Sequence, residues 1–164
     1  MIKKNLILFL FFIFSAVIVF AQSEQRKSED FWIGFGGESA LYSSSGAAFG
    51  GSFSFGFGTG TSIGVKTVLF FNPESISVIE LLFFFRYYLF GLNSNSGLYA
   101  EILGGPSLFN NSGEFSVPSD FGIISFGLSF GWRFIFSDRW YVEPAVRAGF
   151  PYMIGAGVSA GVRF

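Results

Sequence analysis

The sequence contains no cysteine and no histidine. Without cysteine the chain can form no disulfide, no thiolate metal site and no lipid-modified cysteine anchor. Without histidine it lacks the commonest general base and the commonest metal ligand. Charged residues make up only 13% of the chain and the formal net charge is −1, so no electrostatic basis for nucleic-acid binding exists. We therefore expect no catalytic residues, no cofactor, no metal site and no nucleic-acid partner.

Phenylalanine and glycine dominate the composition, with 26 and 22 residues respectively in a chain of 164. Phenylalanine suits strands and apolar surfaces, whereas glycine is unfavourable in the interior of a helix. The combination favours β structure.

The beginning of the chain has the pattern of a secretory signal. Two lysines precede an uncharged apolar run over 6–20, and Ala21 then provides a small residue for cleavage before Gln22. A retained membrane anchor is the alternative, but the run is short of the roughly 20 apolar residues that cross a bilayer. The pattern predicts a signal peptide over 1–21, followed by a flexible polar leader over 22–30.

From residue 31 onward, short apolar-rich segments alternate with clusters of glycine, asparagine, serine or proline that indicate turns. The strands are predicted at 31–42, 47–58, 61–71, 76–90, 97–109, 121–136, 140–150 and 153–164. Eight strands joined by short connections predict an antiparallel up-and-down β-barrel that occupies 31–164 as one domain.

Alternate residues of these segments differ sharply in polarity, as the two faces of a strand do. Along 124–136, large apolar residues of one parity alternate with serine, glycine and arginine of the other. The segments 47–58 and 153–164 repeat the pattern. One face of the predicted sheet is therefore apolar and the other is small or polar.

Charged residues follow the same rule. Four acidic and five basic residues fall within the predicted strands, all on the face opposite the apolar one: Glu38, Lys66, Glu80, Arg86, Glu101, Arg133, Glu143, Arg147 and Arg163. Exposing a lysine or arginine to lipid at the bilayer midplane costs about 2–4 kcal/mol, which accounts for this segregation. The pattern predicts a transmembrane barrel with an ion-pair network in its lumen.

Bulky residues on the polar parity are concentrated in the third to fifth predicted strands. They are Val68, Phe70, Leu82, Phe84, Tyr88, Tyr99 and Leu103. The interior of an eight-stranded barrel is only about wide enough for its own side chains. We expect these residues to pack against the glycine-rich inner face of the eighth, first and second strands and to fill the lumen.

The chain from Phe31 to Phe164 resembles the small eight-stranded outer-membrane barrels, a group that includes the transmembrane domain of OmpA, OmpX and the opacity proteins. The last strand ends in Phe164 with Val162 two residues before it, and this ending resembles the signal read by the barrel-assembly machinery. That family pattern prefers a polar residue at 157 and a glycine at 159, where this chain has Gly157 and Ser159. The resemblance implies a location in the cell outer membrane. It also implies outer-membrane lipid, periplasmic chaperones and the assembly machinery as partners.

The function indicated is that of a structural or interaction protein of the outer membrane, without enzymatic activity. An external partner would meet the loop over 110–120, where Glu114, Phe115 and Val117 are the candidate contact residues. Two alternatives stay open: a narrow ion pore that uses the inner charges, and a secreted lipocalin-like barrel that binds a small apolar ligand. The lipocalin-like alternative requires the opposite polarity pattern, with apolar residues inside the barrel and polar residues outside. Lys66 is interpreted as a counter-ion, not as a base that activates a neighbouring serine.

Overall fold

The computed structural model describes residues 31–42, 46–71, 77–89, 96–110, 122–137 and 139–164. These residues form eight strands: β1 (Phe31–Tyr42), β2 (Gly46–Phe57), β3 (Thr61–Phe71), β4 (Ser77–Tyr88), β5 (Gly97–Asn110), β6 (Gly122–Phe136), β7 (Trp140–Phe150) and β8 (Tyr152–Arg163). Each strand pairs antiparallel with the next and β8 pairs with β1, so the sheet closes into a barrel. The predicted fold class is confirmed. Within the described ranges, no helix is long and apolar enough to cross a membrane.

Strand boundaries agree with the sequence pattern to within two residues. The last strand begins at Tyr152, one residue before its predicted start at 153. The Tyr152 ring is fully buried in the barrel and contacts the Tyr42 ring, with 6.5 Å between centroids.

The barrel closes along a seam between β1 and β8. The pairing runs from Trp32 opposite Arg163 to Tyr42 opposite Tyr152, with one irregularity in register at the second of these ends. Beyond the strand, the backbone N–H of Phe164 donates to the carbonyl of Phe31 at 2.7 Å. We call the end of the barrel that carries Phe31 and Phe164 the terminal end, and the opposite end the loop end.

The outer surface of the barrel is apolar. On β6 all seven large apolar residues of one parity point outward, with exposed fractions from 42% for Trp132 to 73% for Ile124. Outward tryptophan and tyrosine side chains, Tyr87, Trp132 and Trp140, all lie toward the terminal end. The assignment of the two strand faces from the sequence is therefore correct.

Candidate functional site

The charged side chains inside the barrel form the most distinctive chemical feature of the fold. The structure joins eight of the nine predicted lumen residues in two groups of ion pairs. The ninth, Arg163, lies at the terminal end opposite Trp32 in register, and its backbone N–H donates to the carbonyl of Arg139 at 2.8 Å. Each of the two groups contains two acids and two bases, so each is formally neutral.

The loop-end quartet consists of Glu38, Lys66, Glu80 and Arg147. Lys66 Nζ lies 2.5 Å from Glu38 Oε1, and Arg147 Nε lies 3.3 Å from Glu38 Oε2. Arg147 also donates through Nη1 to Glu80 Oε2 at 2.8 Å. The hydroxyl of Tyr42 donates to the other Glu80 oxygen at 3.2 Å. The four strands β1, β3, β4 and β7 are thereby connected across the lumen.

The terminal-end quartet consists of Arg86, Glu101, Arg133 and Glu143. Arg86 makes two contacts of 2.8 Å with Glu101 Oε2, one from Nε and one from Nη2. Its third nitrogen, Nη1, lies 2.5 Å from Glu143 Oε1. Arg133 Nη2 donates to Glu143 Oε2 at 2.8 Å. All four side chains are buried, which makes their pairing essential to offset the cost of desolvation.

Aromatic rings flank the guanidinium groups of both quartets. The Arg133 Cζ atom lies 4.3 Å from the centroid of the Trp32 ring and 4.1 Å from that of the Tyr141 ring. Arg147 lies 4.1 Å from the Tyr152 ring centroid. A desolvated contact between a guanidinium and an aromatic face is worth about 2 kcal/mol. These rings therefore stabilise the buried cations at positions where the carboxylates do not reach.

The sequence analysis did not identify Trp32, Tyr42 or Tyr141 as interior residues. The signal was present, because Trp32 and Tyr42 share parity with Glu38 on β1, and Tyr141 shares parity with Glu143 on β7. Alternate residues of a strand share a face, and this rule placed the charged residues in the lumen. The same rule would have placed these three aromatic residues there.

Two apolar clusters pack around the ion pairs inside the barrel. The loop-end cluster consists of Ala40, Tyr42, Ala48, Val68, Phe70, Val78 and Tyr152. The second cluster consists of Trp32, Leu82, Phe84, Leu103 and Tyr141. On β4 its members Leu82 and Phe84 lie between Glu80 of the loop-end quartet and Arg86 of the terminal-end quartet. All seven bulky residues expected inside are buried, with at most 4% of each exposed.

The bulky side chains require glycine on the facing strands. A Cβ atom added at Gly56 on β2 would lie 2.6 Å from the Trp32 ring and 2.9 Å from the Phe84 ring. A Cβ atom at Gly157 on β8 would lie 2.7 Å from Cγ of Glu38. Glycine at these positions gives large side chains from other strands room inside the barrel.

A cavity of about 20 Å³ lies between the two quartets, with Lys66, Arg86, Glu143 and Arg147 among its lining residues. This is room for about one water molecule. Within the described ranges, no group of three or more acidic side chains is arranged to hold a metal ion.

The remaining predicted site residues lie at the chain ends and in one loop. Val162 pairs with Ile33 and Trp140, and the Phe164 ring lies 6.0 Å from the Phe31 ring, between centroids. Their role in assembly stays a prediction. The cleavage site at Ala21 and Gln22 lies outside the residues that the structure describes, as do the candidate partner residues Glu114, Phe115 and Val117.

The closed antiparallel topology and the inverted polarity define the class as a small eight-stranded barrel of the outer-membrane type. Two solved structures are similar to it in fold. The N-terminal β-barrel domain of Pseudomonas aeruginosa OprF is 12% identical, with a TM-score of 0.56 over 84% of this chain and 98% of the other. The P. aeruginosa outer membrane protein OprG is 11% identical, with a TM-score of 0.55 over 85% of this chain and 97% of the other. No protein-family model and no curated protein sequence matches the chain.

Proposed function

We propose that the chain is an integral outer-membrane protein of structural or interaction type, without enzymatic activity, whose lumen is closed by its own side chains. One observation carries this proposal. Large apolar residues cover the outside of the barrel, while eight of the nine charged residues of its strands form ion pairs inside it.

The outer surface supports a location in a membrane. Side chains such as Phe35, Phe83 and Phe126 are 65%, 59% and 60% exposed, and in water they would form an adhesive patch far larger than soluble monomers tolerate. In lipid the same surface is favourable, and a closed barrel leaves no backbone hydrogen-bonding edge unpaired. The outer membrane is the location suggested by the class of the similar folds.

The packing of the interior supports a closed lumen. Two apolar clusters and two neutral quartets pack together in the lumen, and a cavity between the quartets has a volume of only about 20 Å³. A continuous path for hydrated ions would require several of these side chains to move together. Breaking a buried ion pair is costly, so this arrangement favours the closed state.

The pairing of the candidate catalytic groups supports a non-enzymatic role. Lys66 Nζ is engaged by Glu38 at 2.5 Å, so it serves as a cation and not as a base for a serine. The inner glutamates likewise contact arginines in place of flanking an open cleft. A glycosidase requires two carboxylates with access to a sugar chain, which this packed interior does not provide.

Membrane fractionation and gel mobility test the location. We expect the mature protein to be recovered with outer membranes and to migrate differently on gels before and after boiling, because detergent alone does not unravel a closed barrel. Recovery as a soluble periplasmic species that carries a small apolar ligand would contradict the proposal and favour the lipocalin-like alternative.

We also propose that an external partner binds the loop over 110–120. The sequence of this loop supports the proposal, because it combines the acidic residue Glu114 with the apolar residues Phe115 and Val117. A photoreactive residue at position 115 in intact cells, compared with one at Leu69 on the lipid-facing side, would identify the partner. Capture of the same molecule from both positions, or of none from position 115, would contradict it.

A further inference from the structure

A groove crosses the outer surface of the barrel over β7, β8, β1 and β2, toward the loop end. Its volume is about 350 Å³, at the lower end of the range for small-ligand sites, about 300–1,000 Å³. The outward side chains that line it are those of Ser39, Leu41, Ala47, Phe49, Val146, Ile154 and Ala156.

The groove has a floor of small residues and walls of large ones. Ser39 is opposite Ala156 across the seam, and Leu41 is opposite both Ala47 and Ile154. Leu41, Phe49 and Ile154 are 48%, 61% and 53% exposed, so they project beside the small residues. The result is an apolar depression that is open to the surroundings of the barrel.

Polar recognition has little part in this groove. The Ser39 hydroxyl already donates to the carbonyl of Ala156 at 3.2 Å, so it is engaged within the seam. The strand backbones of the floor are paired on both sides. An occupant would therefore be held by apolar contact alone.

Small residues also lie next to the groove, at positions where the packing of the barrel does not require glycine. Gly37 and Gly51 pair across β1 and β2 on the outward face. A Cβ atom added at either would have no neighbour closer than 3.9 Å. This contrasts with Gly56, which the interior packing requires. A strand glycine without such a requirement often marks a site where a ligand approaches the backbone.

We propose that this groove binds one acyl chain of a membrane lipid. This inference rests on the proposed function, because the groove is continuous with the apolar surface that would face the bilayer. An acyl chain has no polar groups, which matches the apolar lining of the groove and its lack of free polar partners. Contact with the paired backbone and the flanking side chains would retain that chain longer than lipids elsewhere on the barrel.

Photolabelling of the full mature protein tests the proposal. The protein is inserted into vesicles of palmitoyl-oleoyl phosphatidylcholine that contain a small fraction of the same lipid with a diazirine on an acyl chain. We expect several-fold more lipid adducts at Leu41, Phe49 and Ile154 than at the outward residues Leu108 and Phe126. The latter pair lies at the loop end on the opposite side of the barrel.

Ala156→Leu should fill the groove and lower labelling there to the level of the reference residues. Ala100→Leu is the matched control, since it makes the same change on the outward face of β5 and should leave labelling unchanged. If Ala156→Leu fails to give the folded gel mobility, Ala47→Leu provides a second variant that fills the groove.

Equal labelling around the whole barrel would overturn the groove proposal and leave the membrane location intact. Labelling in the groove below that of the reference residues would also overturn it and would indicate that a second copy of the chain covers this face. Absence of labelling at every outward residue would instead refute the proposed membrane location itself.

Discussion

The carboxylate of Glu143 lies between two guanidinium groups, with Arg86 at 2.5 Å and Arg133 at 2.8 Å. Glu101, by contrast, contacts Arg86 alone among the described ion pairs. The two acids therefore differ in what their removal leaves behind. Without Glu143, Arg133 keeps no acidic partner among the described residues, whereas Arg86 without Glu101 still contacts Glu143.

Glu143→Gln should destabilise the folded barrel strongly, by about 3–5 kcal/mol, because it leaves a buried cation without its counter-ion. Glu101→Gln should have a clearly smaller effect. Urea unfolding of protein inserted in lipid vesicles measures both differences. Arg139→Gln, at an exposed turn position, is the control and should change little. Equal losses for the two acids would contradict this account of the quartet.

Gly56→Ala should destabilise the barrel by about 1–3 kcal/mol, the usual cost of an overpacked site. The added methyl group would collide with the Trp32 and Phe84 rings. Gly37→Ala is the matched control on the neighbouring strand, because its methyl group would point into open space. We expect it to be neutral or slightly stabilising in the same urea titration. A loss as large at Gly37 as at Gly56 would show that strand conformation, and not interior packing, sets the cost.

At the scale of the strand, the seam between β1 and β8 distinguishes the barrel from an open sheet. Phe164 ends this seam with one backbone hydrogen bond to Phe31 and one ring contact. The Phe164 side chain is 73% exposed, so it contributes little to the packing of the finished barrel. A strong effect of this residue on assembly would therefore have to arise before the barrel is complete.

Deletion of Phe164 should lower the amount of protein in the outer membrane far more than it changes the stability of molecules already assembled. The lost hydrogen bond is worth only about 1 kcal/mol. Quantification of membrane protein alongside urea unfolding of the purified barrel separates the two effects. Phe136→Ala removes another exposed ring at the terminal end and should leave the amount unchanged. A normal amount of the protein in the outer membrane after the deletion would show that Phe164 is not part of an assembly signal.

The strands and their faces could be predicted from the sequence because both depend on local periodicity. Alternation over β6 and the restriction of Glu38, Glu80 and Arg86 to one parity are properties of neighbouring residues. The burial of Tyr152 against Tyr42, a residue far away in the sequence, could not be predicted in this way. Local pattern cannot include a contact of that kind.

The ion-pair partners could not be predicted in the same way. Parity places Glu38, Glu80 and Arg147 in the lumen, but the choice of partner depends on the height of each residue in the closed barrel. That height follows from the register of eight consecutive pairings. The position of Arg133 over the Trp32 and Tyr141 rings depends on the same long-range geometry.

At the scale of the whole molecule, apolar side chains and ion pairs alternate along the barrel interior. On β4, Leu82 and Phe84 lie between Glu80 and Arg86, which belong to different quartets. Ions that crossed the barrel would have to pass both quartets and the apolar side chains that pack around them.

Purified protein in a planar lipid bilayer should give no steady single-channel steps. Arg86→Ala should open small ones, because it removes the side chain that joins Glu101 to Glu143 and contacts the Tyr99 ring. Arg139→Ala, at the exposed turn, serves as the control and should stay silent. Reproducible conductance from the unmodified protein would overturn the closed-lumen proposal and favour the narrow ion pore.

The mature protein should begin at Gln22, after removal of the predicted signal peptide over 1–21. The short apolar run followed by a small residue at the cleavage position is the reason. Mass measurement of protein purified from membranes checks this expectation. A mass that includes Met1 would contradict the secretory interpretation, while replacement of Ala21 by a bulky residue should hold the chain at the larger mass.

The seam between β1 and β8 can form only after the last strand of the barrel has been synthesised. β1 is the first strand of the barrel to be synthesised, yet its second neighbour, β8, is the last. A chain that stops at β7 therefore exposes two unsatisfied edges, one on β1 and one on β7, each a template for pairing with other chains. Pairing of the eighth strand satisfies both edges at once, so we expect chains that lack β8 to be prone to aggregation.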